Sequence, residues 1–483
     1  MYNKSAKRPK LIMMYWLLSL PLLLISASIV LVYDFFCIIT FENDFGRAQY
    51  SGIMLSICLL LTVITIFLPW LLRNQKIKQR MLALRWPITI LMCCFVVFLM
   101  IDGPPVKNDY SEKDIIPDST QVRESYDLLK PLIGDRETKI DVDRAKFVSY
   151  DFLANIHDHE AEVINAWDSI AEERKIIETL SGFDVVIGLN PQDGIRFDTP
   201  FIQFTSFLNI QSIYLAYAAL NIRKGQTRKG FFYLNHLYSV ARKGAVSTPI
   251  LIHKILWISG VINKTIEGLY LIQSLDYADS QTRALIAEHF TPLTKDEISL
   301  EKAFIGEYLF GESYTQSIEP GSFLESFSTF GFDDEEVGWM KRALSTSVYY
   351  FAFQENRMSA DKRYFVDSLI AWAKFSVSDI NTMDNILKNY RRNPTLRNLA
   401  GWAFWVQQAP DFTKYVDRLL NVKVKSDLLT IHLRKSSGPP VDLKDYYTGK
   451  SYEVREANGL LSIAGADGLF DSDDDVILGK RRK

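Results

Sequence analysis

The chain has 483 residues, a formal net charge of −2 at pH 7 and a hydrophobic content of 48%. This length suffices for a membrane anchor and two or three further units of ~100 to 200 residues, and the interspersed positive charges argue against a nucleic-acid partner. All four cysteines lie in or beside apolar stretches near the N-terminus. No disulfide or cysteine-based metal site is therefore expected in the remainder.

Three apolar stretches open the chain and predict three transmembrane helices. Residues 11–33 and 51–72 contain 23 and 22 uncharged residues, against the ~20 that cross a ~30 Å hydrocarbon core. Residues 86–101 number only 16, so this span has to include residues 81–84 while Arg85 extends to the headgroups. We interpret residues 1–102 as a multi-pass anchor whose partner is the lipid bilayer.

The charges beside these stretches predict their orientation. Cations precede the first stretch and fill the second connection, which has no acid: Lys4, Lys7, Arg8, Lys10, Arg73, Lys76, Lys78, Arg80 and Arg85. Cations are retained on the cytoplasmic side, so residues after about 103 should be extracytoplasmic. A cleaved signal peptide is the alternative for the first stretch, since residues 26–28 are small. The apolar run continues to Tyr33, which favours a signal-anchor.

Residues 103–119 are polar and proline-broken, which predicts a linker, and helical signals then dominate residues 120–435. Arg223-Lys224-Gly225 and Arg242-Lys243-Gly244 place cations on a last turn and glycine beyond it. Thr248-Pro249 places a capping hydroxyl before a first-turn proline. Such helices, joined by short loops, indicate an extracytoplasmic α-helical bundle or solenoid.

Residues 250–275 are apolar enough to suggest a further span, but they include His253, Lys254 and Glu267. Each charge at a bilayer centre would cost ~2.5 to 3.5 kcal/mol. We interpret this segment as the central buried helix of the outer domain. Shortly after it, Thr294-Lys-Asp-Glu297 is a capping box that begins another helix.

The pattern changes after Lys435. Ser436-Ser-Gly-Pro-Pro440 breaks the helix, and predicted strands over residues 451–456 and 460–464 flank Asn458-Gly459. This dipeptide is typical of a two-residue hairpin turn. The expected fold class is therefore mainly α, with three transmembrane helices, an extracytoplasmic helical domain, and a small C-terminal β-hairpin with an acidic loop over residues 436–483.

The acidic loop holds five carboxylates within nine residues, Asp467, Asp471, Asp473, Asp474 and Asp475. Carboxylates on a loop are the ligands that Ca²⁺ prefers, and binding would relieve their mutual repulsion. We predict Asp467, Asp471, Asp473 and Asp475 as ligands of a possible Ca²⁺. The alternative is a solvated acidic tail that residues 480–483, all basic, partly neutralise.

The C-terminal region also carries a family resemblance. Asp445-Tyr-Tyr-Thr-Gly-Lys450-Ser-Tyr452, followed by Ser462-Ile-Ala-Gly465-Ala-Asp467-Gly468 and the Asp-rich end, resembles the calcium-loop region of type II secretion major pseudopilins. The same tail is similar to that of uncharacterised bacterial membrane-anchored helical proteins. The resemblance covers about residues 390–477 and implies a bacterial inner-membrane location. It departs from the family pattern at Tyr446 and Ser451, where prolines are expected, and three spans exclude a true pilin.

The sequence carries no catalytic signature such as HExxH, GxSxG or a phosphate-binding glycine loop. The favoured function is a non-enzymatic, membrane-anchored interaction or scaffold protein whose partner is another envelope protein. The alternative is a cell-envelope hydrolase with carboxylates that only the fold brings together. A transporter is disfavoured because the spans contain no ionisable residue.

Overall fold

The computed structural model describes Pro87, Thr346 and residues 102–105, 109–133, 140, 142–190, 192–196, 204–320, 355–375, 380–392, 412–435, 443–445, 450–457, 460–464, 470 and 475–479. The three predicted spans, Asn458-Gly459 and most of the acidic loop lie outside the described residues. The described part is mainly helical, with a small antiparallel sheet near the C-terminus. This confirms the predicted helical character and the C-terminal β element.

The helices follow in chain order after a 3₁₀ turn at Glu112–Asp114. They are α1 (Thr120–Ile133), α2 (Arg144–Phe147), α3 (Tyr150–Ala154), α4 (Glu160–Ser169), α5 (Ala171–Ser181), α6 (Thr205–Arg223), α7 (Thr227–Ser247), α8 (Leu251–Gln273), α9 (Ser280–His289), α10 (Lys295–Ile298), α11 (Glu301–Ser317), α12 (Glu355–Phe375), α13 (Ile380–Arg392) and α14 (Phe412–Lys435). The strands are β1 (Arg455–Ala457), β2 (Leu460–Ile463) and β3 (Val476–Leu478).

The chain divides into two units. The first comprises residues 1–107, 315–365 and 388–410, and the second comprises residues 108–314, 366–387 and 411–483. The sheet and most of the described helices belong to the second unit. The described part of the first unit consists chiefly of residues 102–105, the end of α11 and the first half of α12.

Helix α6 lies in the core of the second unit, where 16 of its 19 residues are buried. Its apolar residues occupy all sides, which is typical of a fully buried helix. Several of its polar side chains donate to backbone oxygens: Asn209 donates to Ile140 at 2.7 Å, and Gln211 donates to Val261 at 2.8 Å.

Helix α8 packs beside α6. Of the residues that the structure describes, it is the one helix long and apolar enough to cross a membrane, and most of it is buried inside the second unit. Gly268 allows this packing, because a Cβ there would lie 2.6 Å from the methyl carbons of Leu215 on α6. The middle of α8, Leu256–Ile262, is π-helical. The predicted central helix is thus a core element of this unit.

Several predicted helix ends are wrong. Helix α7 runs past Gly244 to Ser247. The ring of Trp257 on α8 occupies the space where a side chain at Gly244 would lie, so this glycine permits close packing and does not end the helix. Helix α8 begins at Leu251, two residues after Pro249, and Thr248 is the C-cap of α7. Lys130-Pro131 predicts the end of a helix, but α1 includes Pro131 in its last turn. The helix-forming residues 145–180 predict one long or two shorter helices, but they are divided among four short ones, α2 to α5.

Other predicted ends are confirmed. Helix α6 ends at Arg223, and Gly225 beyond it has a φ of +71°, which favours glycine. The capping box of Thr294 and Glu297 is present at the start of α10. The end of α6 and the start of α10 depend on local hydrogen bonding. The helix ends that the sequence did not predict depend on packing between distant segments.

The sheet has the strand order β1-β2-β3 with both pairs antiparallel. Ala457 pairs with Leu460, so two residues separate β1 from β2, as the predicted hairpin requires. The third strand was not predicted from the sequence. It pairs Val476 with Ile463, which brings the two ends of the acidic loop together.

Candidate functional site

The predicted metal residues fall mostly outside the described part of the chain. Asp467, Asp471 and Asp473 are not described, and Asp475 lies half-buried immediately before β3. Among the described residues, no group of His, Cys, Asp or Glu is arranged to hold a metal ion. The Ca²⁺ assignment therefore stays a prediction.

An arginine from β1 lies against the acidic loop. The guanidinium of Arg455 stands 3.6 Å from the ring centroid of Phe470, which lies three residues after Asp467. A cation over an aromatic ring is favourable by ~0.5 to 1 kcal/mol at an exposed site. The same contact places a positive charge beside a loop rich in carboxylates.

A buried polar cluster joins α14 to the C-terminal segment. Lys423 and Asp427 stand one turn apart on α14, and the Lys423 ammonium donates to both Asp427 carboxylate oxygens at 2.6 Å. The phenol of Tyr452 donates to Asp427 Oδ2 at 2.8 Å. Asp427 is fully buried at 0% exposure. Three hydrogen bonds from two residues thus satisfy a carboxylate that would be costly to bury alone.

The residues just before Tyr452 pair with residues 444 and 445. The Asp445 N–H donates to the Lys450 carbonyl at 2.7 Å, and Lys444 and Ser451 form an antiparallel bridge. Asp445 is itself buried. These contacts fix residues 450 and 451 immediately before Tyr452, whose phenol reaches α14.

The surroundings of Asp427 raise the pKa of its carboxyl above the ordinary value. Burial raises the pKa of its carboxyl and Asp445 raises it further, while Lys423 and the Tyr452 hydroxyl act in the opposite direction. The cluster is a pair of neighbouring aspartates with a lysine and a tyrosine. Because both aspartates are enclosed, the arrangement is suited to fastening two segments together.

Apolar packing and a second polar contact reinforce this attachment. The sheet contributes four buried side chains, Leu461, Ile463, Val476 and Leu478. On α14, His432 lies 3.9 Å from the Glu456 carboxylate of β1 and 3.2 Å from the Gln273 amide of α8. Burial lowers the pKa of the His432 imidazole. The C-terminal element is therefore an integral part of the second unit.

A further ion pair fixes α7 to α10. The Arg242 guanidinium binds both carboxylate oxygens of Glu297, with Nη2 2.8 Å from Oε2. It also donates to the Thr291 hydroxyl at 2.6 Å. Glu297 at the same time accepts the Thr294 N–H in the capping box. One carboxylate thus serves the helix cap and the contact between helices.

Ionisable groups also cluster where α8 begins. Lys254 is 2% exposed and donates to the Ala245 carbonyl at 2.7 Å, and burial lowers its pKa to about 7. Burial lowers the pKa of neighbouring His253 to about 4. Glu307 of α11 accepts the Leu251 N–H at 3.1 Å, and burial raises the pKa of its carboxyl to about 7. In the sequence, the only sign that Lys254, His253 and Glu307 are buried is that each lies within an apolar segment.

Ser181 and His236 lie close enough to suggest a nucleophile and a base, with 2.5 Å between Oγ and Nδ1. The Ser181 hydroxyl donates to the Glu178 carbonyl at 2.7 Å, and Lys243 donates to the Ser181 carbonyl at 2.6 Å. These groups satisfy the free carbonyls at the end of α5, a common role for side chains at a helix C-terminus. The pair is accordingly a helix-capping arrangement.

Comparisons with protein-family models, with curated proteins and with solved structures found no match for this chain. The class that the fold defines is a mainly helical protein with a small C-terminal sheet, and inference about its role rests on its own residues.

Proposed function

We propose that this chain is a membrane-anchored extracytoplasmic interaction or scaffold protein of the bacterial inner membrane. Its partners are the lipid bilayer and another envelope protein. The observation that carries the proposal is the set of ion pairs in the second unit, in which acids hold helices and the C-terminal element in place.

The pairing of these acids supports a structural frame. Glu297 is held by Arg242, Asp427 by Lys423, and Glu267 by Lys264 and Lys425 at 2.8 and 2.9 Å. A general acid or base has to reach a substrate, and a carboxylate already engaged by a cation of the protein is poorly placed to do so. A rigid frame, in contrast, suits the presentation of a binding surface.

The membrane anchor is supported by the sequence. Three apolar stretches precede residue 102, and the cations of the N-terminal tail and of the second connection favour an orientation with the N-terminus in the cytoplasm. In this arrangement the helical domain and the C-terminal element are extracytoplasmic.

A Ca²⁺-stabilised C-terminal loop is part of the proposal. Asp467, Asp471, Asp473 and Asp475 are the proposed ligands, and the pairing of β2 with β3 supports their convergence because it closes the loop at its base. Ion binding would then stabilise the pairing of β3, since the loop ends at Asp475.

The alternative function is a cell-envelope hydrolase with a carboxylate-based site. The proximity of Asp427 and Asp445 favours it, because two acids that influence each other are typical of acid–base catalysis. The burial of both acids counts against it. Hydrolysis of an envelope polymer that is lost in Asp445→Asn, with unchanged folding, would favour this alternative.

The proposed function is tested by crosslinking in cells, followed by detergent extraction and identification of what copurifies. We expect one envelope protein to be enriched over a control in which the spans are retained and residues 120–483 are replaced by an unrelated domain. Equal recovery of all proteins with both baits would contradict the interaction role.

A further inference from the structure

Asp102 is the first residue after the third predicted span, and its carboxylate caps the first turn of α12. Oδ2 accepts the Asn356 N–H at 2.9 Å, and Oδ1 accepts the Arg357 N–H at 3.1 Å. The first N–H groups of a helix have no partner within it, and an aspartate is a preferred acceptor for them. Here the acceptor comes from a position more than 250 residues earlier in the chain.

Gly103 brings the backbone itself against the same turn. A Cβ at this position would lie 3.2 Å from Cγ of Arg357, so the missing side chain permits the close approach. The Gly103 N–H also donates to Asp102 Oδ1 at 2.7 Å, which orients the carboxylate. The chain that leaves the third span is thereby fixed to the start of α12 by hydrogen bonds and by packing.

A second attachment lies two turns further along α12. The buried ammonium of Lys362 donates to the Thr315 hydroxyl of α11 at 2.8 Å. All these residues belong to the first unit. The beginning of α12 is therefore held both at the exit of the anchor and at the end of α11.

We propose that the first turn of α12 is a membrane-surface element that contacts the phospholipid headgroups of the extracytoplasmic leaflet, with Asp102 as its positioning residue. The inference rests on the proposed membrane anchor. It specifies a second contact of the chain with the bilayer, outside the spans.

Helix α12 begins close to the end of the third predicted span. The Asp102 Cα lies ~3.8 Å beyond that of Ile101. From there, the length of the Asp102 side chain and of a hydrogen bond is enough to reach the backbone of α12. The headgroup region is ~5 to 8 Å thick on each side of the hydrocarbon core. A helix that begins one side chain away from the end of a span therefore begins at the headgroup layer. Arg357 adds a positive charge at the level of the lipid phosphates.

The test uses the full chain in phosphatidylcholine–phosphatidylglycerol vesicles, with all four cysteines replaced by serine. An environment-sensitive fluorophore is attached to Glu355→Cys, whose native side chain is exposed. A nitroxide on the lipid headgroup should quench it strongly. Asp102→Leu, which removes the acceptor, should reduce this quenching by more than half, whereas Asp102→Asn keeps an acceptor oxygen and should retain it.

The possible failures are distinguishable. If the protein floats with the vesicles but the label at position 355 is not quenched, the surface element is wrong and the anchor stands. If Asp102→Leu is quenched as strongly as the parent, Asp102 has no positioning role. If the protein does not float with the vesicles, the proposed anchor itself is wrong.

Discussion

At the scale of single residues, the buried ionisable groups of the second unit are of two kinds. Arg242 with Glu297 and Lys423 with Asp427 are pairs in which opposite charges compensate each other. Lys254 instead donates to the Ala245 carbonyl and Glu307 accepts the Leu251 N–H, and burial shifts the pKa of each toward the value that favours the neutral form. The two kinds should respond differently to substitution and to pH.

Lys254→Met should stabilise the protein at neutral pH. The pKa of Lys254 falls from 10.5 to about 7 on folding, so the unfolded chain holds the proton more tightly between these values. Burial of the charged ammonium therefore lowers the free energy of unfolding by its full amount below pH 7, and this loss disappears as pH rises to 10.5. We expect a gain of about 2 to 4 kcal/mol at pH 7 that vanishes near pH 10.5, measured by denaturant unfolding in detergent. The same change at exposed Lys229 is the control.

Glu307→Gln provides the opposite pH dependence. The pKa of this carboxyl rises from 4.5 to about 7 on folding. Burial of the ionised carboxylate therefore lowers the free energy of unfolding above pH 4.5, and this loss is largest above pH 7. Glutamine keeps an acceptor for the Leu251 N–H. The variant should therefore be more stable than the parent at pH 8 and equal to it at pH 4. Parallel pH profiles for both substitutions would contradict the assignment of these charges.

The polar cluster of α14 should behave as a coupled unit. Lys423→Met leaves the Asp427 carboxylate buried without its cation and should cost about 3 to 5 kcal/mol. Tyr452→Phe removes one hydrogen bond and should cost about 1 to 2 kcal/mol. The double variant Lys423→Met, Asp427→Leu should lose less than Lys423→Met alone. Additive losses in thermal unfolding would show that Lys423 and Asp427 act independently.

At the scale of elements, close approach between helices depends on glycines that the sequence does not distinguish from others. Gly306 on α11 lies directly against the backbone of Pro249, whose carbonyl oxygen would be 1.8 Å from an added Cβ. Gly260 on α8 faces Leu208 at 3.6 Å, an ordinary contact distance. Similar residues thus have different packing roles.

Gly306→Ala should therefore be strongly destabilising. The added methyl group meets backbone, which cannot rotate away, so α11 or the connection before α8 has to move, at a cost of at least ~1 to 3 kcal/mol. Gly260→Ala is the matched control and should be neutral or slightly stabilising, since alanine favours the helix. Melting temperatures report both. A neutral Gly306→Ala would mean that α11 does not pack so closely on Pro249.

The C-terminal loop should respond to Ca²⁺ if its carboxylates bind the ion. Millimolar Ca²⁺ should raise the melting temperature of the protein, because ligand binding to the folded state alone stabilises it. Asp467→Ala combined with Asp473→Ala should abolish the shift. An equal shift in the variant, or no shift in the parent, would exclude Ca²⁺ at these residues.

At the scale of the whole molecule, the orientation of the anchor decides the compartment of every later residue. Reporter fusions after residues 45, 78 and 110 should read extracytoplasmic, cytoplasmic and extracytoplasmic in turn, because cations flank the first span on its N-terminal side and fill the second connection. A cytoplasmic signal after residue 110 would show that the short third stretch does not cross. The helical domain would then lie in the cytoplasm.

Much of the fold was predictable because its signals are local. The capping box at Thr294, the end of α6 before Gly225 and the two-residue separation of β1 and β2 depend on neighbouring residues alone. The start of α8 was not predictable, because Leu251 is capped by Glu307 from another helix. The polar cluster of α14 was missed for the same reason, since Asp427 and Tyr452 are far apart in the chain.

The sequence by itself determined the helical character, the hairpin, and the charge pattern on which the proposed membrane orientation depends. These follow from periodicity, turn chemistry and the distribution of cations, all of which act over short distances. Tertiary structure alone decided which charges are buried together, which glycines permit close packing, and that Asp102 caps α12. Each of these depends on contacts between distant segments, and the energy of such contacts exists only once the chain has folded.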